Sequence, residues 1–243
     1  RNPLGLVDQN TSKSTVKRFI GSVDLDYKLH FFPDMNLHAT MGTDISEGKG
    51  TVYVPLEAAS NYSTYGLDYG YGPQKNTNRL LTLYANYSKN FEDIKSNVEA
   101  TVGYDYQYWK STTPAYATLD AKGDILSQVK ASDYRHALLS YYGRLNYTYD
   151  GKYLLTATMR RDGTSRFSPD TRWGTFPSVS VGWRFDKEKF FPISHDIVNM
   201  FKVRASYGVL GNENIGEYQY MATMNRNNMT YSFNNTPVTG SAI

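Results

Sequence analysis

The feature that most constrains this chain is an alternation of apolar and polar residues at every second position, repeated from segment to segment. Between Arg18 and Leu29 the odd positions hold Phe19, Val23, Leu25, Tyr27 and Leu29, and the even positions hold Ser22, Asp24, Asp26 and Lys28. Successive side chains of a strand point to opposite faces, so a period of two predicts a strand with one apolar and one polar face. Phe32-Pro33-Asp34 supplies turn residues, and Met35, Leu37, Ala39 and Met41 then alternate with Asn36, His38 and Thr40 to complete a hairpin. Leu81, Leu83, Ala85 and Tyr87, followed by Val98, Ala100, Val102, Tyr104, Tyr106 and Tyr108, predict a second hairpin. A third has Leu139, Tyr141, Leu145, Tyr147 and Tyr149 before Asp150-Gly151, and Tyr153, Leu155, Ala157 and Met159 after it. Asp-Gly suits a two-residue turn in which both residues take positive φ. Val179, Val181, Trp183 and Phe185 pair with Phe201, Val203, Ala205, Tyr207 and Val209, so the chain is expected to be all-β, with about eight antiparallel strands.

Connections alternate in length. Residues 32–34, 90–95 and 150–152 are short, residues 45–77, 110–135 and 161–173 are long, and residues 186–199 are intermediate. A meandering membrane barrel has this asymmetry, with short periplasmic turns and long external loops, whereas a soluble meander does not require it. The predicted strands reach about ten residues or more, enough to cross a hydrocarbon layer when tilted and about twice the globular average. Mean hydropathy is −0.55, and the absence of any run of about 18 apolar residues excludes a helical span. A low mean does not exclude a barrel, whose strands need an apolar residue only at every second position. Soluble sandwiches alternate too, with the apolar face buried in a core, so periodicity leaves both readings open. Aromatic placement favours the membrane. The chain has 22 Tyr, 11 Phe and 3 Trp, and Tyr27, Tyr87, Tyr108, Tyr149 and Tyr153 fall at strand ends, where a transmembrane barrel carries its aromatic girdles.

Several function classes are removed by what is missing. Without Cys there are no disulfides, thiolate metal sites or cysteine nucleophiles. The 26 basic and 23 acidic residues are interspersed, without the basic block that nucleic-acid binding favours. His30, His38, His136 and His195 are scattered without metal-site spacing, so no metal or other cofactor is expected. Asp24 and Asp26 share a strand face, as residues of a hydrated lumen commonly do, and this reading is preferred to a paired-carboxylate acid–base site; no enzyme is expected. Gly66, Gly70 and Gly72 lie among loop tyrosines and lack the strand-to-helix context of a phosphate cradle. Asn86-Tyr87-Ser88 and Asn146-Tyr147-Thr148 match the glycosylation pattern but fall inside predicted spans.

Candidate substrate contacts are the aromatic residues Tyr65, Tyr69 and Tyr71, with Tyr62, in the first long loop, together with Trp109, Tyr116 and Trp173. Their rings could stack on sugar faces, and packing of one loop on the next or contact with a partner protein accounts for them equally. Arg161 and Arg166, which cluster with Arg160 and Arg172 around Asp162-Gly163, could bind an anionic substrate. Pairing with Asp162 and Asp170 to hold a loop together is the simpler account.

The stretch Tyr142-Gly143-Arg144-Leu145-Asn146-Tyr147, with Tyr149-Asp150-Gly151-Lys152-Tyr153-Leu154-Leu155 and Arg160-Arg161-Asp162-Gly163-Thr164-Ser165-Arg166-Phe167, resembles the SusC/RagA family of TonB-dependent outer-membrane transporters of Bacteroidetes-type bacteria. The segments from Arg172 to Arg184 and from Lys202 to Asn212 fit the same family, so the resemblance covers residues 138–218, while residues 16–110 match only in style. It implies a barrel of about 22 strands with an internal plug, a periplasmic segment that engages the TonB complex, and a SusD-like surface lipoprotein over the external mouth. The activity it implies is import of oligosaccharide or peptide nutrients across the Gram-negative outer membrane, with outer-membrane lipid around the wall. No plug, coupling box or N-terminal accessory domain is recognised, no initiator Met or signal core precedes Arg1-Asn2-Pro3, and no aromatic-terminated strand closes the chain. Residues 1–243 are therefore expected to be a partial TonB-dependent receptor β-barrel domain, a slice of the larger barrel whose two unpaired strand edges would make it aggregate or require detergent. Eight strands could also close alone into the smallest barrel class. A passive porin or adhesin barrel and a soluble all-β carbohydrate-binding protein are the rival readings.

Overall fold

The computed structural model describes residues 3–58, 61, 63, 65–192, 197–221, 230–233 and 236–239. Tyr62 and His195 lie outside them. After a six-residue helix, α1 (Pro3–Asp8), the chain forms β1 (Thr11–Lys28), β2 (Met35–Val54), β3 (Leu67–Phe91), β4 (Ser96–Thr113), β5 (Tyr116–Leu119), β6 (Ile125–Val129), β7 (Ser132–Tyr149), β8 (Tyr153–Thr164), β9 (Trp173–Arg184), β10 (Lys202–Gly208), β11 (Thr230–Phe233) and β12 (Thr236–Thr239). Eight of these make one antiparallel sheet in the order β1-β2-β3-β4-β7-β8-β9-β10. Two further hairpins, β5–β6 and β11–β12, form separate small sheets.

Register explains why the alternation matters. Directly paired residues lie on the same face of a sheet, and Leu25 faces Ala39, Ala39 faces Leu83, Leu83 faces Tyr104, and Tyr104 faces Tyr141. A second row joins Met35, Tyr87, Ala100, Leu145, Ala157, Val179 and Tyr207. One apolar face therefore runs unbroken across all eight strands. Among the described residues no other layer covers it: Phe19 and Val102 are each 62% exposed and Met159 is 60% exposed. Among the described residues, the buried apolar side chains are Val54 and Ala58. In water a face this large is normally buried against a second layer, and the described residues supply none, so they do not form a sandwich by themselves. The sheet is open, with β1 and β10 each having one neighbour, so these strands do not close on themselves into a small barrel.

Two expected loops are largely strand. β2 continues to Val54 and β3 begins at Leu67, so most of residues 45–77 is ladder, and β4 and β7 likewise extend into residues 110–135, with β5–β6 inserted between them. β8 runs through Thr164 and β9 starts at Trp173, which leaves a loop of residues 165–172. Beyond the apolar band neither face needs hydrophobic side chains, so the alternation fades while backbone pairing continues. Between Gly48 and Gly50 of β2 the partner in β3 jumps from Gln74 to Tyr71, one extra residue on β3. Gly72 sits in this bulge with φ +96°, and a Cβ there would lie 2.7 Å from the Gly48 carbonyl oxygen, so only glycine fits.

The short turns are tied together on the opposite edge. Asp150 and Gly151 have φ of 50° and 61°, the paired positive φ that Asp-Gly favours, but Tyr149 pairs with Tyr153, so the connection has three residues instead of the expected two. The Asp150 carboxylate lies 3.0 Å from Lys152 Nζ and 3.5 Å from Lys95 Nζ, and the hydrogen bond from Lys152 holds it below the usual carboxylate range. Glu188 accepts from Tyr153 Oη at 2.6 Å and Trp183 Nε1 at 3.0 Å, which holds its carboxyl down in the same way. Asp186, buried in the turn after β9, accepts from Arg184 Nε at 2.8 Å and Nη2 at 2.6 Å. Those bonds, with backbone hydrogen bonding at Phe201, hold its carboxyl down to about 2.

Candidate functional site

The face opposite the apolar one is polar and internally wired. Asp26 Oδ1 is 2.6 Å from His38 Nδ1, His38 Nε2 is 2.8 Å from Thr40 Oγ1, and Thr40 donates to Asp24 at 2.6 Å. Farther along, Asn86 donates to Glu99 at 3.3 Å and to Thr101 at 2.9 Å, Asn146 donates to Glu99 at 3.4 Å, and Thr156 donates to Asn146 at 2.9 Å. The order carboxylate, imidazole, hydroxyl in the first chain has the connectivity of a nucleophile triad. The Thr40 proton is committed to Asp24, however, so the imidazole has none to take, and the array is a hydrogen-bond ladder that stiffens the wall. Among the described residues no group of three His, Asp or Glu side chains is placed to hold a metal.

Two of the grooves along this face are the most polar in their linings. The one toward the short turns has a volume of about 500 Å³ and is lined by residues including Asp26, His38, Tyr84, Asn86, Glu99 and Tyr142. The other, toward the long loops, measures about 570 Å³, with Arg18, Asp44, Asn78, Trp109, His136 and Glu217 in its lining. Its charges are already matched. Arg18 donates to both oxygens of Asp44, at 2.8 and 2.7 Å. Glu217 Oε1 lies 3.0 Å from His136 Nδ1 and accepts from Arg166 Nε at 2.9 Å, while Arg166 Nη1 donates to the Glu213 carbonyl at 3.2 Å. Trp109 stacks on His136 with ring centroids 4.3 Å apart and 18° between planes. A flat aromatic pair bordered by amides and paired charges can stack one face of a hydrated solute and hydrogen-bond its edges.

The residues expected to contact substrate fall into three places. Trp109 lines the external groove and Arg166 anchors Glu217 beside it. Above them, Tyr116 lies 6.5 Å from Tyr69 and 6.3 Å from Tyr71. The Gly72 bulge matters here, because the extra residue turns Tyr69 and Tyr71 to the face of Val52 and Gly50, the groove side. Tyr65 sits under Lys122 Nζ at 3.7 Å and accepts from the Ala121 N–H at 3.1 Å, docking the β5–β6 hairpin on the first long loop. Arg161 and Trp173 lie on the opposite, apolar face, with the guanidinium 5.4 Å from the indole centroid and Tyr141 6.2 Å beyond it. The expected arginine cluster is thereby divided: Arg160, one position earlier on β8, points to the polar face and donates to Asp162 at 2.7 Å and Ser140 at 2.8 Å. His136, Glu217, Arg18 and Asp44 were not singled out as contacts by sequence, since no local spacing links a strand residue such as His136 to Glu217.

Over residues 2–241 the chain matches the family described as TonB dependent receptor-like, beta-barrel. It is 36% identical to the TonB-dependent receptor SusC of Bacteroides thetaiotaomicron, across 97% of this chain and 24% of that protein. The TonB-dependent receptor P39 of Formosa agariphila is 29% identical, across 92% of this chain and 22% of its own length. The chain thus spans about a quarter of the length of these relatives. Among solved structures, the RagAB peptide transporter superposes with a TM-score of 0.79 at 22% identity, covering 98% of this chain and 27% of that chain. Its open-open state superposes with a TM-score of 0.77 at 21% identity, covering 98% and 26%. At such identity the structural likeness establishes the fold. The relatives compared are named as receptors and transporters, not as enzymes.

Proposed function

We propose that this chain, which belongs to the TonB-dependent receptor β-barrel family, forms part of the wall of an outer-membrane transporter that imports oligosaccharide or peptide nutrients. The observation that carries this reading is the uncovered apolar face, continuous over eight strands, backed by a polar face that bears two grooves. Residues 1–243 act as a partial barrel domain, and the plug and the segment engaging TonB belong to other parts of a longer polypeptide. The short span relative to the family's named receptors supports that division. A SusD-like surface lipoprotein closes the external mouth, where Tyr65, Tyr69, Tyr71 and Tyr116 meet incoming substrate before Trp109 and the Arg166-anchored groove receive it. Both substrate classes are compatible with the groove, since a sugar ring and a peptide side chain each stack on indole, and the matched charges disfavour polyanions.

The test is made on the full-length protein in its native host. It should fractionate with the outer membrane and co-purify with a surface lipoprotein, and its deletion should abolish uptake of fluorescent oligosaccharides or of fluorescent peptides. Recovery in the soluble fraction, or unchanged uptake of both classes after deletion, would refute the proposal.

A further inference from the structure

We propose that Glu217, on the segment that follows β10, is a positioning residue of the substrate platform: it holds the edge of the His136 ring on which Trp109 stacks, and so sets the plane that a solute meets. The proposal rests on the transport reading above and deepens it by naming what fixes the external groove. β10 is the edge of the sheet, and β9 and β8 separate it from β7, which carries His136. Three strand spacings amount to about 14 Å. The chain covers that distance on the groove side. The Val209 N–H donates to the Pro177 carbonyl at 3.0 Å, and Gly211 then lies against the ring of Phe176, which pairs with Arg160 and so belongs to the polar face. A Cβ on Gly211 would collide with that ring, so glycine is what lets the backbone pass this close. Arg166 Nη1 next donates to the Glu213 carbonyl at 3.2 Å. Glu217 arrives between two cationic partners: its Oε1 accepts from Arg166 Nε at 2.9 Å and lies 3.0 Å from His136 Nδ1.

What Glu217 touches separates it from an ordinary loop anchor. Trp109 and His136 are direct partners across β4 and β7, with their rings stacked at 4.3 Å. A cross-strand pair by itself leaves each ring a broad torsion about χ2. On a groove wall that freedom is lost when a solute stacks, and the loss lowers affinity. The carboxylate at the Nδ1 edge removes it beforehand for the imidazole, and the stack passes the constraint to the indole. The side chains of Glu217, His136 and Arg166 are 15%, 17% and 19% exposed, so water competes weakly for these contacts. Asp44, the other carboxylate in the lining of this groove, is taken up one to one by Arg18, whereas Glu217 reaches the platform. A segment that leaves the edge of the sheet thereby governs a ring pair three and four strands away.

The full-length protein, purified in detergent, is labelled with 5-fluorotryptophan, and the Trp109 fluorine resonance is identified by its loss in Trp109→Phe. With no solute present, Glu217→Ala should shift or broaden that resonance, and Glu217→Gln, which keeps an acceptor oxygen for both partners, should restore it. In titrations with the fluorescent oligosaccharides and peptides of the uptake assay, Glu217→Ala should weaken affinity about threefold to fivefold, and should add nothing once Trp109→Ala is present. Glu217→Gln should recover most of that affinity. Should Glu217→Ala not assemble, judged by heat-shifted gel migration, Glu217→Asp withdraws the same charge by one methylene and should move the resonance and the affinity in the same direction. A Trp109 resonance unmoved by these variants, a change in Glu217→Gln as large as in Glu217→Ala, or an affinity loss that persists in the Trp109→Ala background would overturn the inference. If neither class of solute binds the wild-type protein, the transport reading falls, and the solute-free fluorine spectra still decide whether Glu217 sets the platform.

Discussion

Neighbouring residues on one strand face opposite sides of the sheet. Leu83 belongs to the uncovered apolar row and Thr82 to the wired face, one position apart. Leu83→Arg should therefore destabilise the full-length barrel by about 2–4 kcal/mol, measured by urea unfolding in lipid vesicles, and Thr82→Arg should cost much less. Equal costs would mean that the two faces see the same medium. In the external groove Trp109 presents its ring beside His136. Trp109→Ala should weaken substrate affinity about threefold to tenfold, the worth of one aromatic contact, with barrel assembly unchanged in a binding titration of the full-length protein. Residue types were legible in the sequence, because tyrosines and arginines crowd the long connections. Their faces were only partly so: Arg160 and Arg161 read as one cluster until the strand separates them, and Glu217 reaches His136 only through the fold.

Elements divide the same way. Within the apolar band every strand of the main sheet was readable, since hydrocarbon demands an apolar side chain at each outward position. The outer halves of β2 and β3, and the outermost four residues of β4 and β7, were read as loop because water on both sides makes no such demand. The bulge at Gly72 left no sequence signal beyond a glycine among glycines, yet it decides which way Tyr69 and Tyr71 face. Gly72→Ala forces a side chain into a positive-φ site against the Gly48 carbonyl, and should destabilise the full-length protein by about 1–3 kcal/mol in the same urea measurement. At the short-turn edge, Asp186 holds the β9–β10 connection through Arg184. Its folded carboxyl titrates at about 2 against an ordinary 3.8, so its contribution is complete above the ordinary value and is lost as pH falls through about 2. Asp186→Asn should lower the melting temperature of the full-length protein at neutral pH, and the gap from wild type should shrink between about pH 4 and pH 2. A gap that stays constant over that range would remove the carboxylate from the account.

At the scale of the molecule, the open sheet and its exposed apolar face belong together. A slice with free edges at β1 and β10 exposes unpaired backbone donors and acceptors beside a lipid-compatible surface. The 243-residue chain produced alone should aggregate or require detergent, and a monodisperse, detergent-free monomer in light scattering would contradict that expectation. The absence of Cys from this chain makes the most direct test clean. Single cysteines at Met41, Leu83 and Val102 on one face, and at Thr40, Thr82 and Thr101 on the other, are placed in the full-length protein with any other cysteines removed. Labelling in intact outer membranes is compared between a lipid-phase probe and a small water-soluble maleimide. The expected result is strict alternation, with the first three taken by the lipid-phase probe alone and the second three by the aqueous reagent. Aqueous labelling of Met41, Leu83 and Val102, or protection of all six from both reagents as in a buried core, would contradict the membrane-wall account.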